Sequence, residues 1–230
     1  MLYLANPSTR PARAEMETGR LGCILTPAQG NHRPEGALWC VDNGCGPGRD
    51  GIRQGQGYPG DYAYLDMLAR LIDEEGADPC DPDQSGCLFA VAPDVVGDAA
   101  ATIRRAETSG MLYWIRDAGL PVAFVAQDGL EDLTPPWDDF DVLFIGGSTA
   151  WKLGPHVPPL VREAHRRFKR VHMGRVNSLK RLRYADAIGC DTADGTYLTY
   201  GPDTNLRNLL GWVRAVNDQA ALFDLTGSRS

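Results

Sequence analysis

The sequence predicts one compact α/β domain, a (β/α)8 TIM-like barrel. Three observations lead there. Eight short, β-rich apolar runs recur along the chain, amphipathic helical patterns fill most of the gaps between them, and acids or glycines stand at the carboxyl ends of several runs. Nearly continuous apolar runs are what parallel strands need when both faces are covered.

In order, the strand runs are "LYLAN" (2–6), "GCILTP" (22–27), "ALWCVDN" (37–43), "LFAVAPD" (88–94), "VAFVAQD" (122–128), "VLFIGGS" (142–148), "RVHMGRV" (170–176) and "AIGCDTAD" (187–194). The helical patterns begin with "YAYLDMLARLIDEEG" (62–76), which Gly76 stops, and "DAAATIRRAETSGMLYWIRDAG" (98–119), with Ile103, Ala106, Leu112 and Ile115 along one side. "VPPLVREAHRRFKR" (157–170), "NSLKRLRYADAIG" (177–189) and "NLRNLLGWVRAVNDQAALF" (205–223) follow. One connection departs from the pattern. The short stretch "AQGNHRPEGA" joins the second and third runs, where a parallel crossover usually takes roughly a dozen residues or more. The N-terminal quarter is therefore expected to be irregular, or its second strand to lie outside the barrel.

The 230 residues suit one domain over 1–225, with a disordered tail at 226–230. Hydrophobic residues at 43% and charged residues at 23% describe an ordinary soluble protein. No apolar stretch approaches the ~20 residues of a membrane span. The opening "MLYLANPSTR" is too short and too soon polar for a secretory signal, so a cytoplasmic location and no membrane partner are expected. Cys40, Cys45, Cys80 and Cys87 are spaced more widely than the pairs of structural zinc sites, so free thiols are expected and no metal.

The net charge of −7 conceals a segregation. Residues 162–183 carry nine Lys or Arg and one Glu, a local +8 that leaves −15 for the rest. Such a segment reads either as a phosphate-binding face or as a solvated helix surface. The candidates for backbone contact are Arg166, Arg167, Lys169, Lys180 and Arg181, with Arg175 nearer the site at its strand end. Between Gly44 and Gly60, seven glycines in 17 residues make a lid or a plain surface loop; the order of a phosphate-cradling GxxxxGK[ST] motif is missing.

The strand ends offer Asp42, Asp94, Gln127 with Asp128, Gly146 with Gly147, Met173 with Gly174 and Arg175, and finally Asp191 and Asp194. Each acid alone could be a helix cap or turn residue. Several strand ends delivering acids to one face point to carboxylate chemistry.

These segments resemble, in order, those of the tRNA-guanine transglycosylases. "WCVDNGCG" is similar to the family's "TDSGGF", "VAFVAQDG" to "xxGIVQGG", "FIGGST" to "xIGGLx", "VHMGRV" to "YLMGVG" and "AIGCDTADGT" to "GxDxxDxx". The similarity runs from about residue 37 to 196. It implies a (β/α)8 fold and exchange of guanine in a polynucleotide for a 7-deazaguanine through a covalent glycosyl-enzyme, with no cofactor. By position it implies Asp194 as nucleophile and Asp42 as acid/base. Asp94 would read the guanine N1 and N2 edge, Gln127 and the Gly147 amide beside Gly146 would meet O6, Met173 would pack on the ring, and Asp191 would be a structural or secondary acid of the substrate site.

Two departures from the family pattern stand out. The zinc subdomain beyond the nucleophile is absent, and Gly46 replaces the aromatic that stacks on the base, for which Tyr58 is a substitute. The chain is most similar to the reduced phage and bacterial enzymes that insert 7-deazaguanines, such as 7-cyano-7-deazaguanine, into DNA. DNA is thus the expected partner and tRNA the alternative. A nucleoside N-glycosidase or deoxyribosyltransferase, and a silent nucleic-acid-binding barrel, are the other readings.

Overall fold

The computed structural model describes residues 1–27, 32–45, 58–73 and 86–227, with side chains as far as 218. It is a closed barrel of eight parallel strands in sequential order. They are β1 (Leu2–Ala5), β2 (Gly22–Leu25), β3 (Trp39–Val41), β4 (Cys87–Val91), β5 (Val122–Ala126), β6 (Val142–Ile145), β7 (Arg170–Met173) and β8 (Thr192–Asp194). Closure is made by β1 on β8, with Leu2 opposite Thr192 and Leu4 opposite Asp194. Around it lie α1 (Arg10–Glu17), α2 (Asp61–Asp73), α3 (Ala99–Ser109), α4 (Met111–Asp117), α5 (Thr149–Lys152), α6 (Val157–Arg166), α7 (Leu179–Ile188) and α8 (Pro202–Gly227). Among the described residues no helix is long and apolar enough to cross a membrane.

Side-chain alternation divides the core into two layers. Leu4, Ile24, Cys40, Phe89, Val91, Ala123, Val125, Val142 and Phe144 fill the barrel interior. Their neighbours Tyr3, Cys23, Trp39, Ala90, Phe124, Leu143, Val171, Met173 and Ala193 face the helices. This parity decides which residues at a strand end can reach a site in the barrel mouth.

The second strand is not outside the barrel. Cys23, Ile24 and Leu25 pair in register with Trp39, Cys40 and Val41. No helix occupies the described part of the β2–β3 link; at ~3.3 Å per residue an extended chain over 26–38 is long enough to return without one. Among its described residues the N-terminal quarter also holds α1, unforeseen in the sequence, which is capped by Thr9 and has proline in its first turn.

Other boundaries shift for local reasons. The expected single helix over 98–119 is two, broken where Gly110 adopts a left-handed φ of 70°. The eighth strand begins at Thr192 rather than 187, since Ala187 and Ile188 finish α7 and Gly189 caps it at φ 98°. Helix α8 takes in Thr226 and Gly227, the first residues of the expected disordered tail. Cys23, Cys40, Cys45, Cys87 and Cys190 are buried and, among the described residues, in no disulfide, while Cys80, Gly76 and Gly46 lie outside the described residues.

Candidate active site

At the carboxyl end of the barrel lies a cavity of about 120 Å³, lined by residues from six strand ends, Asp42, Asp94, Gln127, Gly146, Arg175 and Asp194 among them. An engineered cavity of ~150 Å³ takes benzene, so the enclosed part of this one is about the size of a single six-membered ring, and a larger group would extend into the open mouth. Glycines keep it open. A Cβ on Gly174 would lie 2.8 Å from Phe144 Cε1 and 3.2 Å from Asp194 Oδ1, and one on Gly146 would lie 2.7 Å from Val125 Cγ1.

One wall is a chain of amides around a carboxylate. Asp94, buried just past β4, accepts from Asn43 Nδ2 at 2.9 Å on one oxygen and from Gln127 Nε2 at 2.5 Å on the other. Gln127 Oε1 in turn accepts from the backbone N–H of Gly97 and of Gly147, each at 2.9 Å. The Gly147 amide is therefore directed at Gln127 and not into the cavity, which corrects its expected place at a base oxygen. Burial raises the Asp94 carboxyl above the usual range, while the Asn43 and Gln127 hydrogen bonds and the Arg105 charge oppose that rise.

Asp42, just past β3, accepts from Gly44 N–H at 2.7 Å. Burial pushes its carboxyl up to about 7; Asp194 and Asp94 add to the rise, and the Gly44 hydrogen bond works against it. An acid poised there suits proton transfer near neutrality.

Asp194 ends β8 with its side chain toward the barrel mouth. Its Oδ1 lies 3.0 Å from His172 Nε2, and His172 Nδ1 lies 2.8 Å from Thr192 Oγ1. The imidazole is fully buried, its centre 5.0 Å from the Phe89 ring and 4.4 Å from the Phe144 ring. A hydrogen on Nε2 is donated to the Asp194 carboxylate, and the Thr192 hydroxyl serves Nδ1 as donor or acceptor according to the state of the ring. One carboxylate oxygen is thus pinned from below, leaving the other for the cavity. His172 escaped the sequence reading, although strand parity with Gly174 was a usable signal. Asn43 and Lys152 escaped it as well.

Four expectations fail on geometry. Met173 faces the helices within the outer core, because the same parity that turns His172 inward turns Met173 outward. Asp191 is exposed at the start of β8, about 10 Å along the strand from Asp194. There its Oδ2 accepts from Val171 N–H at 2.7 Å and its carbonyl from Leu2 N–H at 3.1 Å, so it ties strand beginnings together at the far end of the barrel. Tyr58 packs edge-on against Tyr64, with Arg105 over its ring and its hydroxyl donating to Asp61 at 2.6 Å, so it is held at the α2 entrance and not over a base.

The fourth failure is the continuous basic face. Arg166, Arg167 and Lys169 lie at the end of α6, before β7 begins, and hence at the amino-terminal end of the barrel. Arg166 and Arg167 both pair with Glu163, at 2.5 and 2.7 Å, while Arg167 also covers Trp137 and Lys169 covers Phe140. Arg175, Lys180 and Arg181 follow β7 and stay at the cavity end. Arg175 takes a left-handed φ of 59° and donates to the Gly147 carbonyl, while Lys152, buried at the end of α5, donates from Nζ to the Gly174 carbonyl at 2.5 Å.

No protein-family model and no curated protein matches the chain. Solved structures do resemble it. The 3-hexulose-6-phosphate synthase from Salmonella typhimurium is 11% identical, with 94% of this chain and 99% of that chain covered at a TM-score of 0.50. A GH113 beta-mannanase from Alicyclobacillus acidocaldarius, in complex with ManMIm, is 16% identical over 75% of this chain and 68% of that one, at a TM-score of 0.42. The synthase shares the barrel fold with this chain.

Proposed function

We propose that this barrel is a glycosyltransferase of the base-exchanging kind, replacing guanine in DNA with a 7-deazaguanine. One observation carries the reading. Asp42, Gln127 and Asp194, matched to three separate family segments, converge with Asp94 on one cavity in the barrel mouth.

Asp194 attacks C1′ as the bond from C1′ to guanine N9 breaks, which forms an aspartyl-glycosyl ester through a transition state of oxocarbenium character. Asp42, protonated near neutrality, gives its proton to the departing base. The N1–H and N2–H of guanine replace the Asn43 and Gln127 amides as donors to Asp94, and the Gln127 amide freed from Asp94 turns to O6. The incoming 7-deazaguanine returns its N9 proton to Asp42 as its N9 attacks C1′ and releases Asp194. Proton and leaving group balance over the cycle, and no cofactor is needed. His172 acts as a positioning residue that holds Asp194 for attack.

The target base has to be flipped or single-stranded to enter, at a cost of a few kcal/mol. Incubating the protein with guanine-labelled DNA or tRNA plus 7-cyano-7-deazaguanine tests the reading, since loss of label from DNA alone is the expected result. A second reading, a nucleoside N-glycosidase or deoxyribosyltransferase using the same carboxylates, draws support from the split basic segment, which leaves only three of its six candidate cations, Arg175, Lys180 and Arg181, at the cavity end. Turnover of free deoxyguanosine without exchange in DNA would favour it.

A further inference from the structure

We infer that the cavity rim between the ends of β6 and β7 is a phosphate-binding subsite built by Arg175 and Arg181, with Lys152 buried beneath them, which takes a phosphodiester flanking the nucleotide whose base enters the cavity. The identity of that nucleotide rests on the proposed function; the anion site does not.

Three cations from three elements meet here: Lys152 from α5, Arg175 from the loop after β7, and Arg181 from the first turn of α7. Each is anchored to a backbone carbonyl. Lys152 Nζ donates to Gly174, the Arg175 guanidinium to Gly147, and Arg181 Nη1 to Arg175 at 3.4 Å. Among the described residues none of the three forms an ion pair with a carboxylate. The two acids close enough to act on Lys152 have other partners: Asp194 has His172, and Asp128 accepts from Ser148 N–H and Oγ at 2.6 Å.

The fold thus holds like charges together against their repulsion. Lys152 registers it: burial first, then Arg175 and Arg181, lower its amine to about 7. An anion at the rim removes that repulsion. Carbonyl anchoring leaves most of both guanidinium forks unpaired, and a fork suits a tetrahedral oxyanion. The position also fits. Barrels often hold phosphate on loops at the carboxyl ends of their late strands, and Arg175 lines the same cavity as Asp194. Arg166 and Arg167, at the opposite end, take no part.

The chemistry recognised is a phosphate oxyanion, which a polynucleotide or a small phosphomonoester could supply. Thermal unfolding with inorganic phosphate, against chloride at equal ionic strength, tests the site itself in the wild type, in Arg175→Gln/Arg181→Gln, and in the control Arg166→Gln/Arg167→Gln. Phosphate should raise the Tm of wild type and control and leave the first double variant unmoved. No phosphate shift in the wild type, or an equal shift in all three, overturns the subsite. For the source, a single-stranded oligodeoxynucleotide with one guanine carries either natural phosphodiesters or methylphosphonates on both sides of that guanine, beside deoxyguanosine 5′-monophosphate. The salt dependence of wild-type binding should fall by about one unit with the methylphosphonates, and equally in Arg175→Gln/Arg181→Gln with the natural strand. Tight monophosphate binding with no response to methylphosphonates overturns the phosphodiester assignment. Phosphate binding that depends on the two arginines without any base exchange upholds the subsite while removing the proposed function.

Discussion

His172 Nε2 stands 3.0 Å from Asp194 Oδ1 inside the barrel mouth, with the imidazole enclosed between Phe89 and Phe144. A buried ring held on two sides by aromatics cannot swing away, so the carboxylate above it has a fixed orientation. Asp194→Asn should abolish the covalent intermediate. His172→Gln should retain it and lower kcat by about 10²-fold, the scale of a 1 Å misplacement. Denaturing gels with labelled oligonucleotide read both; a covalent band persisting in Asp194→Asn would remove Asp194 from its role.

Asp42 makes stability depend on pH in a defined direction. Its carboxyl titrates at about 7 in the fold and near the ordinary ~3.9 when unfolded, so the folded state binds the extra proton between those values. Stability therefore falls as pH rises from about 4 to 7, and the penalty stays in place above that. Asp42→Asn keeps the acceptor for Gly44 N–H and removes the charge. It should be the more stable protein at pH 8, by at most about 4 kcal/mol, and lose the advantage at pH 4. Equal denaturation midpoints at pH 8 would show that Asp42 is better solvated than its surroundings imply.

Lys152 has the opposite slope. Its amine titrates at about 7 in the fold against an ordinary ~10.4, so the unfolded chain binds the extra proton between those values and stability rises with pH across them. Lys152→Met should flatten the rise between pH 7 and 10 in urea denaturation, whatever it does to the absolute stability. An unaltered slope would mean that the lysine is charged in the fold throughout.

Asp94→Asn sets an amide donor against Asn43 Nδ2 or Gln127 Nε2, both of which donate to the native carboxylate. One buried N–H loses its acceptor, at about 1–3 kcal/mol. Guanine release and uptake of the 7-deazaguanine should fail together, because in the proposed cycle one wall serves both bases. Normal exchange by a folded Asp94→Asn protein would demote Asp94 to a packing role.

Gly174→Ala brings a methyl to 2.8 Å from the Phe144 ring and 3.2 Å from the Asp194 carboxylate. Overpacking of this kind costs about 1–3 kcal/mol, and the new methyl narrows the cavity floor. KM for the incoming base should rise with Tm lowered; an unaffected KM would place the base elsewhere.

The barrel was legible because it rests on local signals: apolar runs of strand length, amphipathic stretches between them, and the parity of side chains along each strand. The candidate acids were legible too, since they stand where β runs end. What misled the reading was position along a strand. Asp191 and Asp194 are three residues apart and look alike in sequence, yet one lies at the foot of β8 and the other at its head. A β run by itself does not say where pairing with its neighbours begins; Gly189, ending α7 at φ 98°, sets that start for β8.

The sequence by itself determined the number and order of strands, the residues at their carboxyl ends, and hence the set of groups from which a site could be built. Tertiary structure decided which of them meet. Closing the sheet brings Asp42, Asp94, Gln127 and Asp194 to one mouth from distant parts of the chain, turns His172 inward and Met173 outward, and sends the two halves of one basic segment to opposite ends. The reason is geometric. A continuous run of charge that crosses a barrel strand is divided by the length of that strand, and only the register fixed by neighbouring strands says which part faces the cavity.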